Sequence, residues 1–159
     1  MKHWIEAARL RTLPLSVSGI IVGSVYALAN PTTEILTPTD VFSWPVFCFA
    51  MLTTLGLQIL SNFANDYGDG TKGTDNDDRV GPKRAIQSGS ISPKAMKNAI
   101  VITTILTLIA AILLIYFAFG ATNLLYSVFF LGLGILAIIS AIRYTVGTSA
   151  YGYRGYGDL

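Results

Sequence analysis

Asn65, Asp66, Asp69 and Lys72 crowd into eight residues of a chain that is otherwise largely apolar. Two carboxylates one helical turn apart are hard oxygen ligands that can point at one ion. Magnesium takes one or two such groups, and waters and substrate phosphates complete its octahedron. The Asn65 amide can add an oxygen or hold a carboxylate through its N–H. Lys72, Arg79, Lys83 and Arg84 supply the complementary half, as donors for phosphate oxygens. Glycines at 68, 70, 73 and 81 permit close backbone approach. Acid for a metal and base for a phosphate, side by side, read as a magnesium–diphosphate site.

Two other readings fail on residue type. Asp75-Asn76-Asp77-Asp78 lacks the glycine and the twelfth-position glutamate of a calcium loop. Residues 68–73 lack the Gly-Lys-Ser/Thr ending of a phosphate-binding loop. The remaining competitor is a plain solvated charge cluster. Against it, Gln58, Asn62, Asp66 and Asp69 fall at i, i+4, i+8 and i+11, which is one face of a helix. A polar stripe leaving an apolar span belongs against a bundle interior or a wet cavity, not against lipid.

The elements that must carry this cluster are membrane helices. Of 159 residues 52% are hydrophobic and 13% charged, against about 25% charged in a soluble domain, and the mean hydropathy is +0.56. The pattern predicts an all-α, polytopic transmembrane helix bundle forming a single domain over 1–159. Its four spans fall at about 13–29, 41–62, 99–119 and 124–142, with a catalytic loop at about 63–93. Each span has the roughly 17–25 residues that a crossing needs. Residues 2–12 read as a short amphipathic helix, with Trp4, Ile5, Ala8 and Leu10 in the interface and Lys2, Arg9 and Arg11 toward headgroups. Pro14 suits the first turn of span one, and Trp44 anchors the start of span two. Gly19 and Gly23 have the spacing that lets a neighbouring helix pack closely. Ser92-Pro93 reads as a helix start. Cys48, the single cysteine, is assigned to packing. The first apolar run lacks a small-residue cleavage site followed by a soluble domain, so it reads as a span rather than a removable signal.

A net charge of +2 is too small to argue for nucleic acid. Where the charges sit says more. All eleven Lys and Arg residues fall on one side of the four-span arrangement, and the two opposite loops hold none. The positive-inside rule then places both termini and the polar cluster in the cytoplasm.

Asn65-Asp66-x-x-Asp69 resembles the first aspartate-rich motif of the UbiA superfamily of intramembrane prenyltransferases. The longer run is Asn65-Asp66-Tyr67-Gly68-Asp69, Lys72-Gly73-x-Asp75, Asp78-Arg79-x-Gly81-Pro82-x-Arg84 and Gln87-x-Gly89. It resembles the branch of that superfamily that acts on 1,4-dihydroxy-2-naphthoate in menaquinone synthesis. Arg9-Leu10-Arg11-Thr12-Leu13-Pro14, Tyr144-Thr145 and Tyr151-Gly152-Tyr153-Arg154-Gly155-x-Gly157-Asp158 resemble the same branch, so the likeness covers nearly the whole chain.

The resemblance implies Mg2+ held by Asp66 and Asp69, with Asn65 and Lys72 completing the catalytic group. The ion binds the diphosphate of a polyprenyl donor. Lys72, with Arg79, Lys83 and Arg84, stabilises the departing anion. The aromatic ring attacks the allylic cation, its carboxylate leaves as carbon dioxide, and demethylmenaquinone results. Tyr67 and Tyr144 either face the cation through their rings or anchor the interface. The superfamily's third aspartate, four positions after Asp69, is Gly73 here, which leaves Asp75 and Asp78 as alternatives for that metal ligand. The superfamily fold is a nine-helix bundle with a second aspartate-rich motif in its later half. Four spans therefore resemble its N-terminal part, with little activity expected from that part alone.

The partners expected are polyprenyl diphosphate, 1,4-dihydroxy-2-naphthoate and membrane lipid, without nucleic acid, in a bacterial inner membrane. One alternative keeps the chemistry and changes the acceptor, for example to 4-hydroxybenzoate; the run over 72–84 argues against it. Another is a cation-transporting bundle lined by the 58–69 stripe. Acidic groups at the end of a span, rather than at mid-membrane, disfavour that reading.

Overall fold

The computed structural model describes residues 1–29, 42–75 and 83–156. Among these residues there are helices and turns and no strand. Four helical runs are long and apolar enough to cross a membrane: Lys2–Ala29, Trp44–Lys72, Pro93–Phe119 and Leu124–Arg143. The all-α, four-span architecture expected from hydropathy is borne out.

The first run is not one helix. Helix α1 (Lys2–Ala8) stops at Arg9, whose φ of 51° is left-handed. A 3-10 turn covers Leu10–Thr12, and α2 (Leu13–Ala29) follows at once. The continuous amphipathic helix expected over 2–12 is thus corrected to two pieces. The cause is local: the Thr12 N–H and hydroxyl both donate to the Arg9 carbonyl, at 2.8 and 2.9 Å, a side-chain-tied turn that competes with helix. The break lays α1 across the end of the bundle. There Ala8, expected in the lipid interface, is buried, and Trp4 meets Phe63 edge-on at 5.8 Å between ring centres.

Helix α3 (Trp44–Lys72) has 29 residues and a proline in its first turn. About 20 residues suffice to cross a bilayer at roughly 1.5 Å per residue, so its last two turns outlast the span. Residues 63–72 fall after the span by hydropathy but are continuous helix, as the stripe spacing through Asp69 required. Gly68 and Gly70 do not stop it. The stop comes at Gly73, which has φ 73° and donates its N–H to the Asp69 carbonyl. The Thr74 N–H and hydroxyl join the same carbonyl at 3.2 and 3.1 Å.

Helix α4 (Pro93–Phe119) starts where the sequence signals it: the Ser92 hydroxyl accepts from the Ala95 N–H at 3.2 Å, and Pro93 stands in the first turn. Helix α5 (Leu124–Arg143) returns after a turn at Gly120, and a 3-10 turn over Tyr151–Arg154 follows it. Helices α3 and α4 pack closely at Gly56, where a Cβ would collide with Thr107 Oγ1. Gly19 and Gly23 are different. A Cβ at either would meet nothing within 4 Å, so no described part of the chain packs on that face of α2.

The buried apolar cluster sits at the projecting end of the bundle, not at mid-membrane. Ala8, Leu60, Phe63, Ile91, Met96 and Ile138 belong to it. Toward the other end Val25, Tyr116, Leu125 and Phe129 are more than half exposed, as expected of helices whose solvent is hydrocarbon.

Candidate functional site

The polar stripe of α3 is secured rung by rung. Gln58 Oε1 accepts from Ser16 Oγ at 2.9 Å, and Gln58 Nε2 donates to Thr12 Oγ1 at 3.3 Å. Asn62 Nδ2 donates to the Ala8 carbonyl at 2.9 Å, and Asn62 is buried. These two rungs tie α3 to the N-terminal elements. They hold structure together, and the chemistry lies further along.

Asp66 is 2% exposed. A carboxylate so deep must be compensated, and residues 84–88 do it. They form one helical turn, with the Ser88 N–H on the Arg84 carbonyl at 2.9 Å, and Gly89 at φ 69° follows it. The leading N–H groups of that turn, Ala85 and Ile86, donate to the two Asp66 oxygens at 3.2 and 3.3 Å. Asp66 thus caps a turn from another element, answering N–H groups that have no partner within the turn.

Asp66 also lines a cavity of about 570 Å³. Arg9, Arg11, Lys83 and Arg84 line it too, with Ser88 and Ser90. The bend at Arg9 brings the first two of these cations to the same opening as the last two. Four cations against two carboxylates, Asp66 and Glu6, leave a concave surface of net positive charge suited to a multiply charged anion.

Asp69 lies one turn on and has different partners. Its Oδ1 accepts from the Tyr153 hydroxyl, and from Thr74 Oγ1 at 3.3 Å. Its Oδ2 accepts from Arg84 Nη1 in an ion pair. That nitrogen also lies 3.3 Å from Asp75 Oδ2 and 3.2 Å from the Asn65 carbonyl. Lys72 Nζ sits 4.1 Å from the centre of the Tyr153 ring, a cation–π distance. Burial, and next the bond to Asp69, push the Tyr153 hydroxyl up to about 12. It stays protonated at neutral pH and donates to the carboxylate.

The segment after α5 completes the cluster. Thr145 Oγ1 shares its proton between the Ala64 carbonyl at 2.9 Å and Asn65 Oδ1 at 3.2 Å. It rests on bare backbone: a Cβ at Gly68 would lie 2.6 Å from the Thr145 carbonyl. Tyr153 and Thr145 were assigned no role from sequence. Both stand in runs that carry the family resemblance, which marked the stretch after the last span without giving either residue a task.

The residues expected in the site divide clearly. Asn65, Asp66, Asp69, Lys72, Asp75, Lys83 and Arg84 are brought together at the projecting end of α3 and the turn beside it. Tyr67 packs against the buried apolar cluster, and Tyr144 packs edge-on against Tyr151 at 5.3 Å; neither lines the cavity. Asp78 and Arg79 lie outside the described residues. Asp66 and Asp69 are turned to separate donors instead of pointing at one position. Among the described residues no three His, Cys, Asp or Glu side chains form a metal-binding group. The donor set still suits a hard cation. A positive nitrogen already sits among the Asn65 carbonyl and the Asp69 and Asp75 carboxylates.

Known proteins resemble the chain over all of its length. It is 44% identical to the 1,4-dihydroxy-2-naphthoate octaprenyltransferase of Haemophilus influenzae, over 100% of this chain and 49% of that protein. It is 44% identical to the Escherichia coli protein of the same name, over 98% of this chain and 47% of that one. The Mycobacterium tuberculosis counterpart is 32% identical over 99% of this chain and 48% of its own length. The chain spans about half the length of these curated relatives. No solved structure matches it. Residues 32–158 match the UbiA prenyltransferase family, and the chain, with its aspartate cluster at the end of a membrane helix, belongs to that family.

Proposed function

We propose that the protein carrying this chain transfers a polyprenyl group from polyprenyl diphosphate to 1,4-dihydroxy-2-naphthoate. The ring carboxylate leaves as carbon dioxide and the diphosphate as its anion, giving demethylmenaquinone in its quinol form. The observation that carries this reading is the placement of Asp66. It is buried, held by two backbone N–H groups, and opens into a cavity lined by Arg9, Arg11, Lys83 and Arg84. The names of the relatives support the acceptor and the polyprenyl donor.

Each residue then has a task. Lys83 and Arg84, with Arg9 and Arg11, bind and orient the diphosphate oxygens. Asp69 and Asp75, with the Asn65 carbonyl, would hold Mg2+, and Asp66 would join the same ion only by releasing the Ala85 and Ile86 N–H groups. Asp78 and Arg79 would supply a further carboxylate and a further cation by residue type. When bound, the ion draws charge off the departing diphosphate as a Lewis acid. Lys72 faces the same anion, and Tyr153 fixes both Lys72 and Asp69. Tyr67 and Tyr144 serve packing in this reading. The prenyl tail lies along apolar helix faces open to lipid. Lipid is accordingly a partner, and no nucleic acid is involved. The site and both termini face the cytoplasm of a bacterial cell, with the spans in its inner membrane.

The cation-path alternative draws no support from the stripe. Gln58 and Asn62 are hydrogen-bonded to Ser16, Thr12 and Ala8, which makes them packing rungs.

The test is prenyl transfer in membranes containing the full protein, given dihydroxynaphthoate, a polyprenyl diphosphate and Mg2+. Product formation that disappears in Asp66→Ala supports the reading. No product, or an Asp66→Ala variant as active as the parent, refutes it.

A further inference from the structure

Arg84 Nη1 carries two protons and faces three oxygens: Asp69 Oδ2, Asp75 Oδ2 at 3.3 Å and the Asn65 carbonyl at 3.2 Å. One nitrogen cannot satisfy three acceptors with two directed bonds, whereas a spherical cation can. Meanwhile its Nε–H is buried and has no acceptor among the described residues. The guanidinium is therefore over-subscribed at one atom and unsatisfied at another. Charge keeps it there. The Asp69 and Asp75 side chains are only 14% and 4% exposed, and two shielded carboxylates this close are strongly unfavourable without a positive partner.

The same side chain lines the cationic cavity beside Arg9, Arg11 and Lys83. Its backbone does not need to move for the guanidinium to turn there. The Arg84 N–H donates to Gln87 Oε1 at 3.2 Å, and the following N–H groups are pinned on Asp66.

We propose that Arg84 is an exchangeable counter-ion. It fills the Asn65–Asp69–Asp75 oxygen cage while no divalent cation is present. When such a cation enters, it yields the cage and turns its guanidinium to phosphate oxygens in the adjoining cavity. The exchange rests on the metal-dependent reading above and adds a coupling to it. Cation and diphosphate binding become mutually favourable, because each removes Arg84 from the place where it opposes the other.

The experiment measures Mn2+ binding to the full protein in nanodiscs, by the electron paramagnetic resonance signal of free Mn2+, with and without inorganic pyrophosphate. Expected is at least a tenfold tighter Mn2+ affinity in Arg84→Gln than in the parent without pyrophosphate, and an affinity near the parent's in Arg84→Lys. Pyrophosphate should tighten Mn2+ binding in the parent more than in Arg84→Gln. Unchanged or weaker Mn2+ binding in Arg84→Gln, beside a parent that binds Mn2+, overturns the exchange and leaves the metal reading standing. A parent that binds no Mn2+ even with pyrophosphate overturns both. If Arg84→Gln does not fold, the unmodified protein decides: the Arg84 15Nε resonance should move on adding Mg2+, and a resonance that stays in place refutes the proposal.

Discussion

The Tyr153 hydroxyl donates to the Asp69 carboxylate although 84 residues separate the two in sequence. Lys72 lies over the face of the same tyrosine ring. One side chain from the segment after α5 thus restrains an acid and a base on α3 at once. The two effects can be separated by substitution. Tyr153→Phe keeps the ring and loses the hydroxyl, so Lys72 stays while Asp69 gains freedom. A net hydrogen bond is worth about 1 kcal/mol, so KM for the prenyl diphosphate should rise severalfold with little change in kcat. Tyr153→Ala should lower both kcat and affinity. Steady-state kinetics of the three proteins checks this, and indistinguishable parent and Phe forms would remove the hydroxyl from the argument.

The same hydroxyl gives a pH signature. Its folded value is raised to about 12 from an ordinary 10.0. The folded state holds this proton more tightly than the unfolded one, so its contribution is complete below pH 10 and is lost as pH rises toward 12. Hydrogen exchange of residues 144–156, followed from pH 9 to 11.5, should show that segment loosening from about pH 10 upward. In Tyr153→Phe that pH-dependent component should be absent.

Asn62 holds α1 in place by its bond to the Ala8 carbonyl. Asn62→Ala leaves that buried acceptor without its partner, which costs about 1–3 kcal/mol. The loss should localise, because α1 meets the bundle through this bond, the Trp4–Phe63 contact and the buried Ala7 and Ala8. Exchange of residues 2–12 should quicken while α4 is unaffected. Protection retained over 2–12 would show that apolar packing alone seats α1.

Glycines in the helices should respond to alanine with opposite signs. Propensity favours Ala over Gly by about 1 kcal/mol in a helix interior, and at Gly19, where space is open, Gly19→Ala should be neutral or stabilising within this chain. At Gly68 the new Cβ would press on the Thr145 carbonyl, and at Gly56 on Thr107 Oγ1. Gly68→Ala and Gly56→Ala should therefore lower thermal stability, with Gly68→Ala also reducing activity by displacing Thr145 from Asn65. Melting temperatures of the three variants decide the order.

Asp66→Asn changes one atom and reverses one interaction. An amide has a single acceptor oxygen, so its NH2 must meet one of the Ala85 and Ile86 N–H groups that the carboxylate now accepts. Donor against donor in a buried place costs about 1–3 kcal/mol. The 84–90 turn should exchange faster, and prenyl transfer should fall at least a hundredfold. A variant with parent-like exchange at 85–86 would mean that the cap is dispensable.

The sequence by itself determined the solvent, the fold class and which polar residues share a helix face. Hydropathy decides which segments cross lipid because burying unpaired charge in hydrocarbon is so costly, and the one-sided lysines and arginines follow from the same cost. The spacing of Gln58, Asn62, Asp66 and Asp69 puts them on one face because a helix repeats every 3.6 residues. Those are local or compositional rules, legible without a fold. They did not show where α3 stops. Apolar content falls near residue 62, yet backbone hydrogen bonding continues to Gly73, and hydropathy does not see hydrogen bonds. Nor did they show the bend at Arg9, whose carbonyl accepts from both the N–H and the hydroxyl of Thr12.

Tertiary structure alone decided the partners: Asp66 with the N–H groups of Ala85 and Ile86, Asp69 with Arg84 and Tyr153, Asn65 with Thr145. Each pairing joins elements 15 or more residues apart. Any of several cations or hydroxyls would serve a given carboxylate equally well in sequence, and only the packing of α3 against the turn and the final segment selects among them.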